Sequence, residues 1–377
     1  MKKKILCIVG TRPEAIKMAP IILNLKLQSW ADVRVLATAQ HREMLDQVLS
    51  LFEIQPDIDL DLMKPNQNLA MLTARLYENL DRVFEAEKPD LVLAQGDTTT
   101  VKVAGVVSFY QRIPFGHVEA GLRTFDKSFP FPEEMNRVVV DYISDLHFAP
   151  TETARAHLLK EQIHDDSIFV TGNTVIDALF YIRDRLTLTD IDPGARRLVL
   201  VTAHRRENFG QPFLDICGAI KDLLDKFDDI EVLWPVHPNP NVKEVVQKQL
   251  GALERVTLCD PLGYQEIVEA MYRAYIVMTD SGGIQEEAPA LAKPVLVLRA
   301  ETERPEAIDL GVVKLVGTDR EQIVSSASKL LQDKTAYQEM AKGVSPYGDG
   351  RAADRTTVAI ADYLGVTGTD ASVADHL

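Results

Sequence analysis

Short apolar runs rich in β-branched residues recur along the chain, and a longer stretch of helical periodicity follows most of them. The first set of runs is Ile5–Val9, Val33–Ala37, Leu91–Ala94, Pro114–Val118, Leu146–Ala149 and Ile168–Thr171. The second is Leu198–Thr202, Ile230–Val236, Val256–Cys259, Tyr275–Thr279, Pro294–Leu298 and Val312–Val316. Near-continuous apolar runs, as opposed to alternating ones, are the pattern of strands covered on both faces. Amphipathic stretches such as Leu69–Glu87, Thr99–Gln111, Pro212–Phe227 and Arg320–Leu331 lie between them. Strand and helix in repeated alternation predict parallel sheets with right-handed crossovers. A polar stretch at 183–197, containing Thr-Asp-Ile-Asp-Pro-Gly, separates the two sets and is the best linker candidate. The acidic run Asp57-Ile-Asp-Leu-Asp61 is expected to be a solvated loop.

The expected class is therefore α/β, with two doubly wound Rossmann-like domains facing a cleft. The first domain is expected over 1–172 and the second over 190–345. A helix at Ala352–Tyr363 and a polar, flexible tail at 365–377 should follow. The chain has 377 residues, and a single core rarely grows past roughly 250–300.

Composition narrows the function. With 41 basic and 56 acidic side chains the formal net charge is −15, which disfavours a nucleic-acid or anionic-membrane partner. A small anionic ligand stays possible, because a few local Arg and Lys residues outweigh a global field. Cys7, Cys217 and Cys259 are far apart and sit in apolar runs, which suggests buried thiols in a reducing compartment. The apolar run after Lys2-Lys-Lys4 is too short for a signal peptide, and no uncharged run approaches the ~18–20 residues of a membrane span. A cytoplasmic protein is expected.

Ligands of open parallel sheets bind outside the carboxyl ends of the strands, so the loops there carry the information. In Gly10-Thr-Arg-Pro-Glu-Ala-Ile-Lys17, Arg12 precedes a helix start and Lys17 lies one turn in, so both can meet a phosphate. An ordinary capped helix with solvated charges explains the same residues. Neither Gly-x-Gly-x-x-Gly nor the P-loop pattern occurs, which disfavours an NAD site and a P-loop NTPase. In Asp280-Ser-Gly-Gly-Ile-Gln-Glu-Glu287, Gly282 and Gly283 allow backbone N–H groups close to a diphosphate. Ser281 adds a donor there and Glu287 can accept from a ribose diol; the plain alternative is a Ser/Gly cap with acids answering the helix dipole.

Asp97 follows the run Leu91–Ala94, Glu119 follows Pro114–Val118, and Glu133 lies in Phe131-Pro-Glu-Glu-Met-Asn-Arg137. Carboxylates at adjacent strand ends can converge, and such clusters suit proton transfer. Taken singly, Asp97 reads as a helix cap and Glu133 as an i to i+4 partner of Arg137. His204-Arg-Arg-Glu-Asn208 follows the first strand of the second half, where His204 is a better anion contact than a metal ligand. Metal ligands are not expected, and no Gly-x-Ser-x-Gly elbow supports a serine hydrolase.

These motifs together resemble a family. Gly10-Thr-Arg-Pro-Glu-Ala-Ile-Lys17, Thr38-Ala-Gln-His-Arg42, Gly96-Asp-Thr-Thr-Thr100, His117-Val-Glu-Ala-Gly-Leu-Arg123, Pro132-Glu-Glu134, Ala203-His-Arg-Arg-Glu-Asn208, Asp280-Ser-Gly-Gly283 and Glu303-Arg-Pro-Glu306 resemble the bacterial non-hydrolysing UDP-N-acetylglucosamine 2-epimerases. The likeness runs in order from about Lys4 to Pro346-Tyr-Gly-Asp-Gly350. It implies a glycosyltransferase-B-like fold in which a helix at about 350–364 packs back on the first domain.

By this resemblance, Ser281, Gly282, Gly283, Arg12 and His204 would hold the UDP diphosphate, Glu287 the ribose, and Arg304 would add positive charge. His204 would also share in catalysis. Leu262 and Ile267 would lie near uracil. Asp97, Glu119 and Glu133 would be the acid and base groups, supported by Lys17 and Arg137. Gln40, Glu43, Arg205 and His237 would hold a second UDP-N-acetylglucosamine as allosteric activator, and a further contact would fall near Asn66. The resemblance implies C2 epimerisation through elimination and re-addition of UDP, for surface polysaccharide synthesis, by a homodimer without cofactor. A hydrolysing relative, a glycosyltransferase of the same fold and a non-catalytic nucleotide-sugar sensor are the alternatives, of which the sensor would not need the three carboxylates.

Overall fold

The computed structural model describes residues 2–38, 42–62, 68–187, 195–302 and 304–366, without the side chains of Arg42 and Glu43. Two compact units divide them: residues up to Tyr181 with those from Tyr347 on, and Ile182–Pro346. The first unit contains β1 (Lys3–Val9), β2 (Ala31–Ala37), β3 (Ile58–Asp59), β4 (Leu91–Gln95), β5 (Phe115–Val118), β6 (Leu146–Ala149) and β7 (Ile168–Val170). They form one parallel sheet in the order β3-β2-β1-β4-β5-β6-β7. The second contains β8 (Arg197–Thr202), β9 (Ile230–Pro235), β10 (Val256–Cys259), β11 (Ile276–Thr279), β12 (Val295–Val297) and β13 (Val313–Leu315). These too are parallel, in the order β10-β9-β8-β11-β12-β13. Every run read from the sequence as a strand is one, with ends shifted by a residue or two.

The strand interiors explain themselves. All five residues of β4 and Ile5–Val9 of β1 are buried, so both faces are covered and no polar alternation is needed. The helix Leu69–Glu87 sends Leu72, Leu76, Leu80 and Phe84, spaced by four, into the core below the first sheet. Asn68 caps its start by accepting from Met71 N at 2.9 Å. In the second unit Trp234 and Phe213 stack at 6.3 Å inside the core. Among the described residues, no helix is long and apolar enough to cross a membrane.

Three expectations need correction. The acidic run at 57–61 is not simply a loop, because Ile58 and Asp59 form β3 beside Leu36 and Ala37. Its acids alternate with Ile58, Leu60 and Leu62, which pack on the core, so the run has the period of an edge strand. Asp57 ties that edge down, accepting from Val35 N at 2.8 Å and pairing with Arg34 at 3.1 Å. Cys7 and Cys217 are buried, but Cys259 is only half-buried. The units part after Tyr181 and not at 172, since Asn173–Tyr181 packs with the returning chain; part of the expected linker, 188–194, lies outside the described residues, as does 367–377.

That returning chain ends in the helix Ala352–Tyr363, which packs on the helix Arg12–Leu27 of the first unit. Asn24 Nδ2 donates to Asp354 at 2.6 Å, and Ala353 N donates to Asp177 Oδ1 at 2.8 Å. Asp177 thus caps the last helix from another helix. Burial pushes its carboxyl up to about 6, although the Ala353 and Ala352 N–H groups pull the other way. A carboxyl raised on folding favours the native state when protonated, so stability should fall as pH rises from about 4 to about 6. Thermal melts of Asp177→Asn should lack that slope, because the amide keeps an acceptor and cannot ionise. Asp177→Ala should lose the cap and about 1 kcal/mol at pH 4, with the deficit shrinking as pH rises because this variant lacks the slope as well.

Candidate active site

In both sheets the strand order reverses direction about one pair, β1 and β4 in the first unit and β8 and β11 in the second. Open α/β sheets bind ligands at the carboxyl ends of such a pair, because the helices that follow lie on opposite faces. Hydroxyls cross the strand ends at each: Thr38, just after β2, to Thr100, in the helix after β4, at 3.4 Å, and Thr202 to Thr279, the last residues of β8 and β11, at 2.6 Å.

In the first unit, Thr11 caps the helix Arg12–Leu27 and Glu14 closes a capping box, accepting from Gly10 N at 2.6 Å and Thr11 N at 3.2 Å. Burial pushes the Glu14 carboxyl up to about 7 against the pull of these bonds. Arg12, half-buried, opens the helix, and one turn on Lys17 Nζ reaches Glu119 at 2.6 and 2.8 Å. Gln95 at the end of β4 donates to the same carboxylate. Glu119 has φ +67°, left-handed for a residue with a side chain, and its N–H and that of Ala120 both turn to Phe148 O on β6. Such a conformation costs about 1–2 kcal/mol and persists only where surrounding bonds impose it.

Asp97 follows β4. It does not cap the next helix; Thr98 does, accepting from Val101 N. The Asp97 carboxylate instead receives Nε and Nη2 of Arg137 at 2.8 and 2.6 Å. Arg137 Nη1 donates to Glu134 at 2.9 Å, so the expected Glu133–Arg137 pair is replaced by Glu134–Arg137–Asp97. Glu134 is buried and also accepts from Thr124 N and Phe125 N, fastening the loop after Glu119. Glu133 is half-buried at the start of the helix Glu133–Ile143, and its carboxylate makes no hydrogen bond or ion pair among the described residues.

Beneath lies a buried network. Asp141 contacts His117 Nδ1 at 2.5 Å and Arg123 at 2.8 Å, and accepts from Gly121 N at 3.1 Å. Burial alone would raise the Asp141 carboxyl, but the charges and hydrogen bond of His117 and the charge of Arg123 hold it at about 2.

In the second unit, the buried Asp280 shapes the loop after β8. Its Oδ2 accepts from His204 N and Arg205 N at 2.8 Å each, and from Asn208 Nδ2 at 3.0 Å. The rings of His204 and His237 stack at 5.6 Å. Burial lowers the His204 pKa below 6.5, Asp280 opposes this, and the positive charge of His237 and Arg205 adds to it. Ser281 stands at the N-cap of the helix Gly282–Glu287 but its hydroxyl does not cap, contrary to the plain reading of the motif. The Arg304 guanidinium lies so close over Gly282 that a Cβ there would meet its Cζ at 2.6 Å, and Nε is held by Glu286 at 2.7 Å. Glu287 accepts from Tyr264 OH at 2.7 Å, next to half-buried Leu262 and one turn from half-buried Ile267.

Asp97, Glu119, Lys17 and Arg137 are thus brought together as two ion pairs in the first unit. The second brings His237, after β9, against His204 in the loop with Arg205 after β8, and Arg304, after β12, over the turn that carries Ser281, Gly282, Gly283 and Glu287 after β11. Gln40, the Glu43 side chain and Asn66 lie outside the described residues. Gln95, His117, Glu134, Asp141, Tyr264 and Asp280 are further residues of these networks; for Gln95, His117, Asp141 and Asp280 the available signal was a polar residue inside or ending an apolar run, whereas Glu134 and Tyr264 carried none.

The sequence profile of the family described as UDP-N-acetylglucosamine 2-epimerase matches residues 24–361. The chain is 50% identical over 369 residues to the UDP-N-acetylglucosamine 2-epimerase of Escherichia coli strain K12, covering 95% of this chain and 98% of that one. Against the enzyme of Yersinia pestis identity is 50% over 372 residues, covering 96% and 99%. The crystal structure of a UDP-GlcNAc 2-epimerase from Neisseria meningitidis bound to UDP-GlcNAc aligns with a TM-score of 0.86 at 46% identity, covering 96% of this chain and 100% of that one. MurG of Acinetobacter baumannii, at 12% identity and a TM-score of 0.63 over 96% and 100%, shares the fold alone. Half of the residues are held in common across almost the whole length, and the chain belongs to the UDP-N-acetylglucosamine 2-epimerase family.

Proposed function

We propose that the chain interconverts UDP-N-acetylglucosamine and UDP-N-acetylmannosamine by eliminating UDP and adding it back. The observation that carries this reading is the pair of carboxylates, Asp97 and Glu119, at the ends of neighbouring strands, each pinned by its own cation. The sugar C2–H is not next to a carbonyl, so no carboxylate can simply remove it. Breaking the anomeric C–O bond first, or in concert, develops an oxocarbenium ion that acidifies C2–H. One carboxylate takes the proton, UDP departs anti to it, and a 2-acetamidoglucal remains. A second acid returns a proton to the other face as UDP adds. Asp97, Glu119 and Glu133 are the acid and base groups, with Lys17 and Arg137 orienting two of them.

The departing diphosphate needs donors and positive charge where its own charge grows. Ser281, Gly282, Gly283, Arg12 and His204 serve it, Arg304 adds charge, Glu287 takes the ribose, and Leu262 and Ile267 flank uracil. A second UDP-N-acetylglucosamine acts as activator at Gln40, Glu43, Arg205 and His237. The stacking of His237 on His204 supports that role, since it links an activator contact to a diphosphate contact. Exposed Phe109, Tyr110 and Tyr142, on helices of the first unit that pack together, support a homodimer. The product supplies an activated sugar for surface polysaccharide, and the enzyme works in the cytoplasm.

Incubation with UDP-N-acetylglucosamine in deuterated water should give UDP-N-acetylmannosamine labelled at C2 by NMR, with UDP and the glycal building up slowly. Product that keeps its C2 hydrogen would overturn the elimination, and free N-acetylmannosamine as main product would make the enzyme a hydrolysing one.

Asp97→Asn, Glu119→Gln and Glu133→Gln should each lower kcat by ~10²–10⁴-fold while calorimetry finds UDP affinity little changed. Ser281→Ala and Arg12→Ala should weaken both.

His204 is held below its ordinary pKa in the free protein, and a diphosphate beside it stabilises the imidazolium. UDP binding at pH 7 should therefore take up protons, and affinity should rise as pH falls until His204 is protonated in the free protein as well. Calorimetry in buffers of different ionisation enthalpy should show this uptake, and His204→Gln should abolish it.

A further inference from the structure

Gly96 is gripped through both of its backbone groups by the end of β5. Its N–H donates to Val118 O at 3.0 Å, and its carbonyl oxygen lies 2.8 Å from Nε2 of His117. Asp97 follows Gly96 in the chain and Glu119 follows Val118, so the grip sets one acidic residue against the other. A carbonyl oxygen has no hydrogen to give, so the Nε2 atom of His117 carries it and donates. The ring is held from behind by Asp141 Oδ1, 2.5 Å from Nδ1, on the helix that also supplies Arg137 to Asp97. With both nitrogens engaged and 1% exposure, the ring has one orientation available.

We propose that His117 is a positioning residue for the epimerisation: it fixes the peptide before Asp97 against the strand that delivers Glu119, and so sets the separation of two proton-transfer groups. This rests on the assignment of Asp97 and Glu119 as acid and base groups. Gly96 has no side chain and adopts φ +87°, so the loop has no anchor of its own at that point. Asn136 Nδ2 holds the Asp97 carbonyl at 2.9 Å and Arg137 holds its carboxylate, which leaves the Gly96 carbonyl to His117. Proton transfer is sensitive to such placement, and an error near 1 Å costs about 10²-fold in rate.

Two substitutions separate positioning from plain structural support. The amide nitrogen of Asn reaches the place of Nδ1, and that of Gln the place of Nε2. His117→Asn keeps the contact with Asp141 and gives up the Gly96 carbonyl; His117→Gln does the reverse. His117→Asn should melt no lower than His117→Gln, because the buried Asp141 stays paired. Its kcat should nevertheless fall by about 10²-fold with KM and UDP affinity unchanged, whereas His117→Gln keeps most of its turnover. Activities that follow the melting temperatures, or two variants as active as the parent, would overturn the proposal. If neither variant folds, Asp141→Asn keeps the volume and loosens the ring: a lower kcat at unchanged KM supports the proposal, and an unchanged kcat overturns it. Asp97→Asn is assayed alongside. Full turnover in that variant would mean that the assignment of Asp97 has failed, whereas a dead Asp97→Asn beside a fully active His117→Asn would remove only the positioning role.

Discussion

The carboxylate of Asp141 is completely buried and shared among His117, Arg123 and the backbone of Gly121. An ionised group at that depth is tolerable only when its lone pairs are filled, and removing any one partner would expose the full desolvation penalty. The loops after β4 and β5 therefore cannot drift independently, since each is bonded to a group that Asp141 orients. The left-handed backbone of Glu119 depends on the same framework, because nothing local to that residue favours the conformation. In the second unit Asp280 does equivalent work at the end of β11, gathering two backbone N–H groups and Asn208 around one oxygen. Each unit thus builds a mobile type of structure, a strand-end loop, around a buried aspartate.

The distribution of charge follows from this arrangement. A chain with net charge −15 offers an anion little attraction at long range. Cations are instead fixed close in by acidic neighbours that orient them: Arg304 by Glu286, Arg137 by Glu134 and Asp97, Lys17 by Glu119. Pairing of this kind reduces the field at a distance and keeps hydrogen-bond geometry at short range, which favours selection of a ligand by shape over capture by charge.

The sheets were legible because strands buried on both faces must be apolar throughout, and because such short runs recur with a longer helical segment after most of them. β3 escaped because its alternation is carried by aspartates, and charge masked the period of two. The site was legible to the extent that chemistry follows strand ends, which located Asp97, Glu119 and the Ser281-Gly-Gly283 turn. Partners were less so. The spacing of Glu133 and Arg137 suits an ion pair, yet Arg137 turns to Glu134 and to Asp97, which is 40 positions away in the chain and beyond the reach of any local period. His117 sits in an apolar run, and only the register of β5 against β4 decides which carbonyl it meets. The closeness of Arg304 to Gly282 has the same origin, since it joins residues that neither helical nor strand period relates.

The helix Ala352–Tyr363 belongs to the first unit, so that unit is written in two pieces with the second unit's sequence between them. During synthesis the second unit is complete in the nascent chain before the first is, although its residues emerge later. Domains commonly fold as they emerge, and here the sheet of the first unit must wait with the surface of the helix Arg12–Leu27 uncovered until Ala352–Tyr363 leaves the ribosome. The order of translation and the order of completion are therefore opposite, and the amino-terminal half is the part exposed longest to chaperones and to aggregation.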